Sequence, residues 1–175
     1  MLKKIGFIFS IVVFCTAFGI PEKVEKKANK VMAKFYETEG FSKEAIKVSE
    51  EAMAKVPSQF KDGNLFKISS EETFLGYGYI GNAASKTATF DYLVLFDSDF
   101  IITKSKVLIY REEYGGEIGS KRWLKQFIGK TPESSLRYNK EIIPISGATI
   151  SVKSMTIAMN QLLQSIKELR ALNQI

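Results

Sequence analysis

The apolar residues of this chain change their spacing twice, and that change restricts the folds open to it. From Pro21 to about Lys55 they recur at helical intervals. Val24, Ala28, Val31 and Phe35 form one stripe, and Ala45, Val48, Ala52 and Val56 form a second. Gly40 separates the stripes and Ser42 is an N-cap candidate for the second, so the spacing predicts two N-terminal helices. Pro57 opens a different regime. Asn64–Ser69, Phe74–Ile80, Tyr92–Phe96 and Lys106–Tyr110 are short runs of Phe, Tyr, Val and Ile, punctuated by Gly63, Gly81-Asn82 and Asp97-Ser98-Asp99. These read as strands of a small, mostly antiparallel sheet. Lys121–Gly129 then reads as a short helix that buries Trp123, Leu124, Phe127 and Ile128. From about Ser151 to Leu172, Val152, Met155, Met159, Leu162, Ile166 and Leu169 recur at three- and four-residue steps, which predicts a long amphipathic C-terminal helix. The expected class is α+β. With 175 residues, the chain has room for one domain with a real core and little for a second.

Two absences narrow the chemistry. There is no histidine, which removes Ser-His-Asp and Cys-His catalysis, most zinc sites and ordinary haem ligation. The single cysteine, Cys15, leaves no partner for a disulfide or a thiolate cluster. Redox chemistry would need an organic cofactor, and no metal is expected. The net charge of +6 is scattered along amphipathic stretches instead of gathered in a block, so no nucleic-acid partner is expected.

Residues 1–19 have the pattern of an export signal. Lys3 and Lys4 precede an apolar run from Ile5 to Ile20, and Ala17-Phe18-Gly19 offers small residues where a signal peptidase reads. The run is read as a cleaved signal peptide or as an uncleaved anchor. Either reading puts the chain in the periplasm or at the outer face of the cytoplasmic membrane.

Ser146-Gly147-Ala148-Thr149-Ile150-Ser151 stands directly before the last helix. The small residues Gly147 and Ala148 let the backbone approach a bound group, and Thr149 and Ser151 place hydroxyls at the helix mouth. Free N–H groups and the positive end of the helix dipole there favour an anion such as a phosphate. The same residues also suit a plain N-cap after a tight turn, and spacing alone does not separate the two readings. Tyr110–Gly116 likewise reads either as a loop that lies against a ligand ring, with Tyr114 stacking, or as a sharp turn. Lys121 and Arg122 read as phosphate partners or as a solvated helix start.

Ser146-Gly147-Ala148-Thr149 resembles the flavinylation motif of the FMN-binding domain family, which includes the G-like subunit of the Rnf complex and the C subunit of the sodium-pumping quinone reductase. Gly76-Tyr77-Gly78-Tyr79-Ile80-Gly81 resembles the family's glycine-tyrosine strand. Glu113-Tyr114-Gly115-Gly116-Glu117-Ile118-Gly119 sits where the family carries Glu-Thr-Pro-Gly-Leu-Gly. The resemblance implies an FMN-binding domain over residues 57–175, with residues 20–56 a helical segment before it. It implies FMN joined through its phosphate to Thr149 by a flavin transferase. Ser146, Gly147, Ala148, Ser151, Glu113, Tyr114, Gly115, Gly116, Tyr79 and Lys121 would complete the cofactor site. It also implies electron exchange with a membrane redox partner, more in the manner of a carrier than of a stand-alone enzyme. A flavin-dependent reductase acting on a small substrate, or a flavin-free module of the same fold, are the alternatives. One departure bears on loading: Ile143 stands where the family often has an acidic residue.

Overall fold

The computed structural model describes residues 19–38, 40–61 and 63–175. The signal read in residues 1–19 therefore lies, apart from Gly19, outside the described residues. Among the described residues, no helix is long and apolar enough to cross a membrane.

Helix α1 (Glu22–Tyr36) follows Pro21, whose fixed φ suits a helix start, and ends at Glu37 in the left-handed conformation. Five strands follow: β1 (Ser42–Ala45), β2 (Leu65–Ser70), β3 (Thr73–Ala84), β4 (Thr89–Phe96) and β5 (Ile102–Tyr110). They pair in sequence order as one antiparallel meander. All four strands expected from the sequence are present; β2 is shifted by one residue, and β3, β4 and β5 are each longer than expected. A single-turn helix α2 (Glu50–Met53) separates β1 from β2. Beyond β5, a 3₁₀ turn (Gly116–Gly119) leads into α3 (Lys121–Leu124), and α4 (Thr149–Ala171) closes the chain.

The α+β class stands, but the second N-terminal helix does not. Ser42, expected to cap it, instead begins β1, where its hydroxyl donates to the Ser69 carbonyl at 3.4 Å. Ser42–Ala45 completes the outer edge of β2, and the pairing outweighs the helical preference of Lys, Glu and Ala in that stretch. The helix that remains is capped by Ser49, whose Oγ accepts from the Ala52 N–H at 3.3 Å.

Both faces of the sheet are covered, which accounts for the unbroken apolar run Tyr92–Phe96. Tyr92, Val94 and Phe96 point inward to α4, packing with Val152, Met155, Met159, Leu162 and Ile166. Leu93 and Leu95 point outward to α1, packing with Val24, Ala28 and Met32. The α1 stripe thus runs through Met32, and Phe35 is left part-exposed. Each fully buried Leu or Phe in these layers contributes about 1.5–3 kcal/mol.

The glycine-tyrosine strand has a packing logic of its own. A Cβ at Gly78 would lie 2.4 Å from the Phe66 ring, and one at Gly81 would lie 2.3 Å from the Tyr92 ring. The aromatic rings lie flat over bare backbone, which lets the two faces of β3 pack at close range.

Candidate functional site

Helix α4 is tied to the sheet by its apolar face, and this sets the position of its first turn. Ala148 is the N-cap residue, and no side chain caps the helix. Thr149 is the first helical residue. The Ser151 hydroxyl does not turn back to the helix mouth; it meets the Tyr110 hydroxyl at the end of β5 at 3.0 Å. Ser151 is buried, whereas Thr149, Ile150, Ser146 and Gly147 are exposed. Among the described residues, the first N–H of this segment bonded to backbone is that of Val152, to the Ala148 carbonyl at 2.8 Å. The reading of Ser146–Ser151 as a plain side-chain N-cap therefore does not hold. The mouth of a 23-residue helix is left open to an anion.

Two loops meet at this mouth. Gly147 has φ +81° and turns the chain into α4; Gly115 has φ +84° and ends the Tyr110–Gly115 loop. A Cβ on Gly115 would lie 2.8 Å from the Tyr110 hydroxyl, 3.0 Å from the Gly147 carbonyl oxygen and 3.4 Å from the Ala148 Cα. The two glycine segments seen in the sequence are thus in contact, and only a residue without a side chain allows it. The motif is also held from behind. The Trp123 indole N–H and the Gln126 amide donate to the Ile143 carbonyl at 3.0 and 3.2 Å, and the Gln126 side-chain oxygen accepts from the Ile143 N–H at 2.8 Å. Ile143 directs its side chain to solvent at 58% exposure, so its role here is carried by its backbone.

Thr149 stands between two cavities. One, of about 470 Å³, is bounded by Gly147, Ala148, Thr149, Ile150 and Ser151 and by Tyr110, Tyr114, Glu112 and Lys86. The other, of about 560 Å³, runs along α4 past Ile150, Lys153, Ser154 and Ile157 and is backed by Asn82 and Ala83 of β3. Ile150 and Ile157, 51% and 47% exposed, form an apolar wall of the second cavity, and Tyr114, 83% exposed, borders the first. A polar helix mouth beside an apolar groove of this size suits a flat ring system carrying a phosphate. Both cavities lie in the range of about 300–1,000 Å³ usual for small-ligand sites.

Several residues expected at the site lie elsewhere. Tyr79 is buried on the inner face of the sheet beside Phe60 and Tyr92, where burial pushes its phenol up to about 12. Lys121 is at the exposed start of α3 and borders neither cavity. Glu113 is exposed beside the loop, and Gly116 has open space around its Cα.

Lys86, Lys153 and Ile157 lie outside every segment read from the sequence as part of a site, and Tyr110, Glu112 and Ile150 lie inside such segments without having been named as site residues. Glu112 is the best defined. Its carboxylate accepts from the Ser85 hydroxyl at 2.6 Å, the Thr87 N–H at 2.6 Å, the Thr87 hydroxyl at 2.8 Å and the Ala88 N–H at 3.0 Å. It clamps the β3–β4 hairpin beside the site, and nothing in the pair Glu112-Glu113 distinguishes it in the sequence from its solvated neighbour. These bonds, the one from Ser85 foremost, lower its pKa from 4.5 to about 2. The folded value is depressed, so the clamp is complete above pH about 4.5 and is lost as pH falls through about 2. A carboxyl-carbon NMR titration is expected to show this midpoint, with the Thr87 and Ala88 amide resonances moving in step. A midpoint near 4.5 would show that the clamp does not form in solution.

An open helix mouth, a glycine-lined approach and an apolar groove together suit a phosphate-bearing planar cofactor. Residues 86–164 match the family model of the FMN-binding domain. The chain carries a domain of this family and is a flavin-binding protein whose cofactor is FMN. The matched segment includes Lys86, both glycine loops and most of α4. Comparison with curated proteins gives no match.

Proposed function

We propose that this is an exported flavoprotein in which FMN is esterified through its phosphate to the Thr149 hydroxyl, and that it passes electrons at the outer side of a membrane. The observation that carries the reading is the position of Thr149. It is an exposed hydroxyl on the first residue of an uncapped helix, bordering both cavities. Free N–H groups there would bind the phosphate and stabilise negative charge on it during attachment. Attachment transfers the flavin phosphoryl group from an activated flavin nucleotide. The Thr149 oxygen bonds to phosphorus, the phosphorus–oxygen bond to the leaving nucleotide breaks and the hydroxyl proton departs, for a net gain of FMN less one water. A flavin transferase is the expected catalyst and a membrane redox protein the expected partner.

Bound FMN would supply one- and two-electron redox chemistry. The chain's own contribution is to hold and to shield. Ile150 and Ile157 offer an apolar surface to one side of the ring, and Tyr114 is placed to fold over it from the rim. Gly115 and Gly147 bring backbone close to the ligand, and Tyr110 holds Ser151 so that the first turn keeps its shape. A covalent link suits a compartment in which free FMN is scarce. The export signal read in residues 1–19 supports the location.

The test is intact mass and visible absorbance of protein co-expressed with a flavin transferase and denatured before measurement. The expected result is a gain of one FMN less one water, retained on denaturation and located on the peptide containing Thr149. Yellow colour lost on denaturation, with an unmodified mass, would replace the covalent reading with reversible binding.

A further inference from the structure

Lys86 lies in the turn of the β3–β4 hairpin and borders the same cavity as Thr149, Ile150 and Ser151. Glu112 bonds residues on both sides of it, Ser85 before and Thr87 and Ala88 after, and the Ser85 N–H closes the turn on the Ala88 carbonyl at 2.9 Å. The clamp therefore fixes the backbone that carries Lys86. It leaves the ammonium itself unengaged: among the described residues Lys86 has no ion-pair partner. A cation here would offset a second charge on the same wall. Glu112 borders this cavity too, so a phosphate arriving at the helix mouth would share the cavity with a carboxylate. The helix end alone supplies about half a positive charge. Lys86 is the cation on that wall. Lys153, the other nearby lysine, borders the apolar groove on the far side of Thr149, and Lys121 borders neither cavity.

We infer that Lys86 is the residue that selects for the phosphate of the flavin, pairing with it across the cavity from the α4 mouth, and that Glu112 is the positioning residue that presents Lys86. The inference rests on the assignment of the phosphate to the start of α4. It goes beyond that assignment by making selection for the phosphorylated flavin depend on a hairpin distant in sequence from the flavinylation motif.

The test uses full-length protein made without a transferase, titrated with FMN and with riboflavin, which has the same ring and no phosphate, while flavin fluorescence is followed. Wild type is expected to prefer FMN by about tenfold, the value of one charge-assisted pair. Lys86→Met is expected to bring that preference to within about twofold of unity with riboflavin affinity unchanged, and Lys86→Arg to retain it. Glu112→Gln, which weakens the clamp, is expected to reduce the preference about threefold and again to spare riboflavin. A preference unchanged in Lys86→Met overturns the inference. So does an equal loss of both flavins, which would mean a structural role, or a wild type without preference. A preference lost in Lys153→Met and kept in Lys86→Met overturns it as well. The covalent reading is judged apart from this: an unmodified mass alongside a Lys86-dependent preference would remove the ester at Thr149 and leave Lys86 in place.

Discussion

Thr149→Val is expected to abolish covalent FMN completely while the protein remains folded. Valine preserves the branched shape and removes the only atom that can carry the ester. Thr149 is exposed and makes no capping hydrogen bond, so its loss should change stability by no more than about 0.5 kcal/mol. Ser151 is the nearest hydroxyl further along the helix, but it is 3% exposed and already engaged with Tyr110. It is poorly placed to take over. Intact mass after co-expression with a transferase reads the loss, and circular dichroism reads the fold. Flavin that survives denaturation of the variant would move the attachment elsewhere and remove the assignment of Thr149.

Gly76→Ala is expected to be the most damaging small substitution in the sheet. Gly76 has φ +143°, a conformation that L-residues rarely adopt, at the point where the β2–β3 register shifts between Ile68 and Ser69. A Cβ there would stand 2.1 Å from the Phe96 carbonyl oxygen and 3.2 Å from the Tyr36 hydroxyl. Phe96 belongs to the interior strand β4 and cannot withdraw without breaking pairing with β3 or β5. Strain and displacement together should cost about 3 kcal/mol or more. Gly116→Ala is the matched control, since nothing lies within 4 Å of its Cβ position, and should stay within about 0.5 kcal/mol of wild type. Urea unfolding of the three proteins reads the difference. A cost below about 1 kcal/mol for Gly76→Ala would mean that the register at Phe96 yields where the packing says it should not.

Much of the architecture was legible in the amino-acid order. Strands β2 to β5 and α4 follow from apolar periodicity, because each buries a face wide enough to leave a regular trace. The stretch after Gly40 was misread for an equally physical reason. Lys, Glu and Ala at helical intervals favour a helix in isolation, yet β1 forms because β2 presents an unpaired edge, and that edge exists only once the sheet has assembled. The choice of Met32 over Phe35 as the last inward residue of α1 is likewise made by the outer face of the sheet.

The site divides in the same way. Ser146 to Ser151 and Glu113 to Gly116 can be found in the sequence, because small residues before a helix and paired glycines in a turn are local signals. By itself the sequence determined the class of fold, the long last helix, and the motif with Thr149 at its head. Only the tertiary structure decided that no side chain caps that helix, that Gly115 packs on Ala148, and that Glu112 clamps the turn that carries Lys86 to the cavity bordered by Thr149. These last contacts join residues 25 to 60 or more positions apart. Periodicity records how a segment meets the core, and it carries no information about which distant loops the core then brings together.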